Sequence, residues 1–395
     1  MKILQVTNFF KPSWEAGGPV RATYELSKSL IEKGNEVTVY TTDGFKYRLD
    51  VEKNKPVSVD GINTYYFRNV SLYLSKKMNL PLPYFAPIVI KKDIKKFDVI
   101  HIHEYRTFLA VVIHYYAKKN NIPYILQPRG SLPLLGKEKQ KKVFDSLFGR
   151  SIIDDAKMII ASSEHESYHY LKSFPNLNPE KVVHIPNGID VKCYQNLPRK
   201  GTFRSKFMID RNDKVVLFLG RIHEIKGLEL LVGSFSNLIS IFENTKLVIA
   251  GPDDGYLAKL EGFVEELNIS DNVIFTGPLY EQDKIEALVD ADVFVLPSKY
   301  ESFGNVVFEA CACGTPVIVT DRCGVSKYMN NDLGYVIEYD KYKLSDALFD
   351  VLSNSKFQHK PDFSSNGIMN FQYSWESISS KMIHVYSKLA GDKTL

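Results

Sequence analysis

Apolar residues in this chain fall into short runs, and stretches with a helical period separate them. "KILQVT" leads into a segment whose apolar positions recur three and four apart over 19–33, and "EVTVYTT" follows. "FDVIHIH", "PYILQPR", "KMIIASS" and "VVHIPNG" continue the series to residue 188. After a polar segment over 191–213 the alternation restarts, with "KVVLFLG", "KLVIAGP", "NVIFTGP", "DVFVLPS" and "TPVIVT". Runs of this length, rich in Val and Ile, predict buried parallel strands, and the amphipathic stretches between them predict crossover helices. Two series joined by a Pro-, Arg- and Lys-rich link predict two doubly wound, Rossmann-like α/β domains, over 1–190 and 200–373. A last helix, over about 374–390, follows a Ser-, Asn- and Gly-rich stretch. It either closes the second domain or, as part of 374–395, packs back on the first.

Composition narrows the class. The 395 residues are too many for one ordinary core. No segment approaches ~18 consecutive apolar residues, so no membrane-spanning helix is expected. "MKILQVTNFFKP" reads as a first strand rather than a signal peptide. Cys193, Cys311, Cys313 and Cys323 lack the spacing of a disulfide framework or a zinc site, and read as reduced thiols in a cytoplasmic protein. Charge divides the chain. Residues 1–200 carry 31 Lys and Arg against 19 Asp and Glu, a balance of +12, and residues 201–395 carry 19 against 27, a balance of −8. Solvated lysine faces explain any single cluster; the asymmetry points to two domains with different partners, the first facing an anionic surface or substrate.

In open α/β sheets ligands sit outside the carboxyl ends of the strands, so the loops after strands carry the chemistry, and the cleft between two such domains is the expected site. Three loops stand out. In "FKPSWEAGGPVRATYEL", Gly17 and Gly18 precede Pro19, a favoured first-turn residue, so a ligand anion could meet helix amides there; a plain tight turn fits as well. No G-x-G-x-x-G follows any strand, which counts against a nicotinamide or flavin enzyme. In "LGRIHEIKGLELL", Arg221 and Lys226 flank a helix start and suit a diphosphate. In "KYESFGNVVFEACACGTPVIVT", Glu301 lies before a predicted helix that starts near Gly304 or Asn305, and Glu309 about one turn inside. Both carboxylates could accept hydrogen bonds from sugar or ribose hydroxyls.

These residues resemble a family. The chain is similar to the retaining family 4 glycosyltransferases of GT-B fold, in which two Rossmann-like domains face each other. "ESFGNVVFEACACGTPVI" resembles the family's E-x7-E signature, "GRIHEIKG" its phosphate loop, "GGP" its glycine loop, "IPNGID" its interdomain junction and the Trp-Glu helix at the C-terminus its cross-over helix. The resemblance implies that Arg221 and Lys226 hold the donor diphosphate, that Phe303, Gly304, Asn305 and Val306 offer backbone N–H groups, and that Glu301 contacts the donor sugar. It places Glu309 at the ribose, Gly277 and Leu279 ("FTGPLY") along the base, and Gly17 and Gly18 over the phosphates. One position departs: many relatives carry a histidine where this chain has Arg129, which stays protonated and cannot act as a general base. Arg129 could hold an anionic acceptor or the leaving phosphate. His103 is the nearest candidate histidine, or a structural one.

The implied reaction is retaining transfer of a hexose from a nucleoside diphosphate sugar to a glycan or lipid-linked acceptor, in cell-surface polysaccharide or glycoconjugate synthesis. Such chemistry needs positioning and charge stabilisation more than a protein nucleophile. No metal or other cofactor is expected; "DAD" at 290–292 ends a helix and enters a strand, where a structural use is expected. A two-domain sugar-binding protein and a nucleotide-sugar epimerase share parts of the pattern; the first would need a secretion signal, the second acid/base residues on the sugar. Nucleic acid is not an expected partner. The lysine-aromatic segment 71–97 reads as a solvated helix with core residues, or as a face for an anionic membrane surface, which would make the protein peripheral on the inner side of a membrane.

Overall fold

The computed structural model describes residues 1–78, 80–134, 138–330, 332–354 and 372–391. The chain forms two compact units. Met1–Gly188 and the segment beginning at Trp375 make the first, and Ile189–Ser374 makes the second.

The first unit is built on eight strands: β1 (Lys2–Val6), β2 (Glu36–Thr42), β3 (Pro56–Val59), β4 (Ile62–Phe67), β5 (Val99–His103), β6 (Tyr124–Gln127), β7 (Met158–Ala161) and β8 (Val182–His184). Their order is β3-β4-β2-β1-β5-β6-β7-β8. β1 sits at the centre, with Ile3 opposite both Val37 and Val99. Leu4 and Val6 point into one core and Ile3 into another, as expected of a strand covered on both faces. The sheet is not wholly parallel. β3 pairs with β4 antiparallel through Asp60-Gly61, at φ of 50° and 83°, which suits a two-residue hairpin turn.

Helices α1 (Gly18–Glu32), α2 (Leu72–Met78), α3 (Ala86–Asp93), α4 (Phe108–Lys119), α5 (Glu138–Phe144), α6 (Arg150–Asp155) and α7 (Glu164–Ser173) complete this unit together with the C-terminal helix. The start of α4 is fixed by the Thr107 hydroxyl, which accepts the Ala110 N–H at 3.0 Å. Ser163 does the same for α7 with the Glu166 N–H at 3.1 Å. α3, α4 and α6 bury their apolar stripes on one face of the sheet, and α1 lies on the other.

The second unit contains α8 (Thr202–Lys206), α9 (Leu228–Leu238), α10 (Leu257–Glu266), α11 (Glu281–Asp290), α12 (Asn305–Ala312) and α13 (Lys341–Ser353). They pack around six parallel strands: β9 (Lys214–Leu219), β10 (Thr245–Ala250), β11 (Val273–Gly277), β12 (Val293–Leu296), β13 (Val317–Thr320) and β14 (Gly334–Ile337). The strand order is β11-β10-β9-β12-β13-β14, which reverses direction at β9 and β12. α8 lies inside the segment read from sequence as a polar link; it is anchored by buried Phe203 and by Arg204, whose guanidinium donates to the Asp292 carboxylate at 2.9 Å.

The last helix, α14 (Trp375–Gly391), returns to the first unit. Its Ser379 hydroxyl lies 2.8 Å from that of Ser29 on α1, and its Tyr386 hydroxyl lies 2.7 Å from His101 Nδ1 in β5.

Candidate active site

The reversal of strand order at β9 and β12 places two loops side by side at their carboxyl ends, where open α/β sheets bind ligands. The loop after β9 carries Arg221 and Lys226, and the loop after β12 carries Glu301. Gly227 makes the close approach possible. It has φ +68°, and a Cβ there would lie 1.9 Å from the Pro297 carbonyl oxygen. Lys226 and Glu301 form an ion pair across the two loops, with side chains 13% and 18% exposed. Arg221 instead meets Asp254 at 2.5 Å, and this pair is about half exposed. The two cations read from sequence as one clamp are thus engaged with different carboxylates.

Glu301 is fixed from a third side. Its N–H donates to the Arg322 carbonyl at 3.2 Å and its carbonyl accepts the Gly324 N–H at 2.9 Å, both from the loop after β13. Phe303 is buried against Phe308 and Tyr328, so its ring belongs to the core and only its backbone can serve a ligand. Gly304, at φ +102°, caps α12, and Asn305 and Val306 form its first turn. Glu309, one turn further, pairs with Lys284 of α11 at 2.6 Å; both side chains are largely covered. Gly277 ends β11, and its carbonyl accepts the Gly251 N–H at 2.9 Å; Leu279 packs on the core.

In the first unit, Gly17 caps α1 at φ +94°, and Gly18 opens that helix in an exposed position. His103 and Arg129 come together at the ends of β5 and β6. Arg129 Nε donates to His103 Nδ1 at 3.0 Å, and its Nη1 donates to Asn187 Oδ1 at 2.9 Å. The other ring nitrogen of His103 lies 2.5 Å from Gln5 Oε1. Because Nδ1 accepts from Arg129, Nε2 carries the proton and donates to Gln5. Burial, with His101 and Arg129 adding to it, holds the His103 pKa well below the usual range, so the ring is neutral. Burial also lowers Arg129, to about 10, with Glu166 and Glu104 opposing. The guanidinium therefore keeps its charge at neutral pH. Glu166 ties the loop down by accepting the Gly130 N–H at 2.5 Å and the Ser162 N–H at 2.7 Å.

Three residues of this chemistry escaped the sequence reading. Lys284 sits in a helix with no spacing that ties it to Glu309. Asp254 lies in a loop after β10. Glu104 follows His103 directly, and the rule that selected strand-end loops could have selected it. Its backbone is left-handed, at φ +71°, and Arg129 shares that conformation at +49°. Non-glycine residues held this way cluster at functional sites. The Glu104 carboxylate accepts the Asn8 N–H at 3.0 Å, yet burial raises its pKa to about 7.

Asp290 and Asp292 face α8 and the amino end of the sheet. Asp290 accepts the Gly201 and Arg204 N–H groups at 2.5 and 3.0 Å, and Asp292 accepts the Val215 N–H at 2.8 Å. Among the described residues no cluster of three or more His, Cys, Asp or Glu has the arrangement of a metal site. Cys311, Cys313 and Cys323 are buried; desolvation raises Cys311 and Cys323 to about 12, which keeps them as neutral thiols. No helix among the described residues is long and apolar enough to cross a membrane.

Comparison with known proteins agrees with this layout. Residues 16–192 match the family described as Glycosyltransferase Family 4, and residues 199–368 match Glycosyl transferases group 1. The chain belongs to the family 4 glycosyltransferases. An uncharacterized glycosyltransferase of Methanocaldococcus jannaschii is 27% identical over 98% of each chain. The phosphatidyl-myo-inositol mannosyltransferase of Mycobacterium tuberculosis is 30% identical over 53% of this chain and 55% of its own length. Among solved structures, sucrose-phosphate synthase of Thermosynechococcus elongatus superposes with a TM-score of 0.79 at 21% identity, covering 99% of both chains. HepE of Anabaena, solved with UDP-glucose, gives a TM-score of 0.76 at 17% identity over 98% of this chain and all of its own. These superpositions establish the GT-B fold of this glycosyltransferase.

Proposed function

We propose that this glycosyltransferase moves a hexose, with retention at the anomeric carbon, from a nucleoside diphosphate sugar to a hydroxyl of a glycan or lipid-linked acceptor. The observation that carries the reading is the convergence of Lys226, Glu301, the first turn of α12 and the Glu309–Lys284 pair at one end of one sheet. A diphosphate brings negative charge that Lys226, Arg221 and the α12 amides can meet. The same groups would stabilise it as it leaves, where the charge builds up. Glu301, beside Lys226, is the carboxylate for the sugar, and Glu309 the one for the ribose, with Gly277 and Leu279 bordering the base. In the first unit Arg129, oriented by His103 and Asn187, is a fixed cation suited to an anionic acceptor. Solved relatives with UDP-glucose, and relatives named for glycosylating inositol lipids, support the classes of donor and acceptor.

Screening UDP-, GDP- and ADP-sugars for protection against thermal unfolding and for release of the nucleoside diphosphate tests the reading. One donor is expected to protect and to turn over with chelator present, since the cations of the site are protein side chains. Turnover that collapses in chelator and returns only with Mg²⁺ or Mn²⁺ would overturn metal independence. An altered free sugar without glycosylated product would overturn transfer itself.

A further inference from the structure

The face of the first unit formed by α3, α4 and α6, with the segment between α5 and α6, exposes large apolar side chains among cations. Ile88 on α3, Tyr115 on α4, Val143 near the end of α5, and Leu147 and Phe148 just before α6 are between 45% and 65% exposed. Exposed Lys91, Lys92, Lys119, Lys142 and Arg150 stand among them. The acids here are mostly committed: Asp155 to His114 and Lys118, Asp145 to Arg106, Asp93 to Lys96, and Glu138 to Lys142 at 3.8 Å; Asp154 is exposed. A concavity of about 420 Å³ opens between α4 and Phe148, with Val111, Tyr115 and Phe148 as its apolar lining and His114, Lys118 and Lys119 as its polar one.

We propose that this face docks on an anionic lipid bilayer. The argument is complementarity of both kinds at once. A bilayer interface offers apolar chains a few ångströms beneath a layer of phosphate charge. Leu147, Phe148 and Val143 suit the first and the lysines the second, their methylene stems lying along apolar surface while the ammonium groups reach the headgroups. The sequence directed attention to 71–97, of which Asn79 and the side chains of 76–78 lie outside the described residues; the face takes α3 from that segment and adds α4 and the residues around α5 and α6, which no charge count along the chain singled out. The face is on the opposite side of the sheet from α1 and α14. It shares no residue with the proposed donor site and stands or falls without it.

The test is co-sedimentation of the full chain with phosphatidylcholine vesicles and with mixed phosphatidylcholine–phosphatidylglycerol vesicles, at low and raised salt. The chain is expected to follow the anionic vesicles only, and less so as salt screens the lysines. Each lysine near such a surface contributes roughly fivefold to partitioning, so Lys119→Glu with Lys142→Glu is expected to lower binding at least ~10-fold. Leu147→Ser with Phe148→Ser is expected to lower it while leaving its salt dependence. Lys33→Glu, an exposed change just past α1, is the control and is expected to cost less than ~2-fold, since it lies on the other face. Circular dichroism checks that each variant is folded. Equal binding to both vesicle types, or none to either, overturns the proposal, and so does a Lys33→Glu loss as large as that of the paired reversal. Self-association that disappears in the Leu147/Phe148 variant, without vesicle binding, would make the face a protein interface instead.

Discussion

Glu301 and Glu309 each meet a lysine, and the two pairs predict different failures. Glu309 and Lys284 are both mostly covered, and under the proposed reading Glu309 accepts from the ribose. Ribose contacts change little between ground and transition state, so they contribute uniform binding. Glu309→Ala should raise the donor KM by roughly 10- to 150-fold, the equivalent of a charge-assisted hydrogen bond of ~1.5–3 kcal/mol, with kcat nearly unchanged. Lys284→Ala should move KM the same way by less, because it acts through Glu309. Removing Glu301 takes away the carboxylate proposed for the sugar, where positive charge grows as the phosphate leaves, and also leaves Lys226 without its partner and freer to hold phosphate. Glu301→Ala should therefore lower kcat while the donor KM stays or falls. Steady-state kinetics of the three folded variants check this, and a Glu301→Ala enzyme with normal kcat sinks the assignment. Glu104 supplies a pH test. Burial lifts its carboxyl from the ordinary 4.5 to about 7, against the Asn8 N–H and the Arg129 charge. Across that window the folded protein holds a proton that the unfolded chain has released, so the contribution of Glu104 to stability is present below ~4.5 and is lost as pH rises through about 7. The Tm of the native chain relative to Glu104→Gln should fall between pH ~5 and ~7 and level off above. A difference that does not change with pH would show that Glu104 is an ordinary, solvated carboxylate.

The elements around the site were legible wherever their pattern was apolar. β9, β12 and the start of α12 follow from "KVVLFLG", "DVFVLPS" and the turn residues after them, and they bring Lys226 and Glu301 together. The β3–β4 hairpin was not read, because Ser58 in β3 and Asn63 and Thr64 in β4 break the apolar runs; Asp60-Gly61 between two β-rich stretches was the available signal. Lys284 was out of reach for another reason. Which helix faces which depends on sheet order, and no local pattern encodes that order. Two glycines at positive φ separate local from tertiary demands. Gly17 and Gly227 both have positive φ, but a Cβ at Gly17 meets nothing within 4 Å, whereas one at Gly227 strikes the Pro297 carbonyl. Gly17, at φ 94° and ψ −157°, sits in a region open essentially to glycine alone, so Gly17→Ala should cost backbone strain without a collision, ~1–3 kcal/mol. Gly227→Ala combines left-handed strain, ~1–2 kcal/mol, with a backbone collision that must push the β9 and β12 loops apart, ~1–3 kcal/mol, and should lower donor affinity as well as Tm. Thermal unfolding and donor titration of both variants decide it; a Gly227→Ala loss no larger than left-handed strain alone, ~1–2 kcal/mol, with donor affinity unchanged, would mean that the two loops yield without cost.

At the scale of the molecule, the chain leaves the first unit at Gly188 and re-enters it at Trp375. All six strands of the second unit lie within that interval, so its sheet is complete without either end of the chain. The first unit has no such independence. α14 buries Trp375, Ile378, Met382, Val385 and Tyr386 in the core shared with α1 and β1, and the Tyr386 hydroxyl is the partner of His101 Nδ1 and Gln5 Nε2. A single large apolar side chain deleted from a core costs ~2–5 kcal/mol, and a domain is stable by only ~5–15 kcal/mol. Deleting five at once, with two polar groups left unpartnered beneath them, exceeds that margin. A chain ending at residue 374 should therefore keep the second unit folded and lose the first. Hydrogen exchange can read each unit separately: amides of β9 and β12 should stay protected in the shortened chain, while those of β1 and β5 exchange at the rate of unfolded peptide. Supplying residues 375–391 as a separate peptide should restore part of the lost protection, because the groove along α1 that receives Trp375 and Tyr386 is set by sequence upstream of residue 188. Full protection of β1 and β5 in the shortened chain would show that α14 only decorates a core already stable without it.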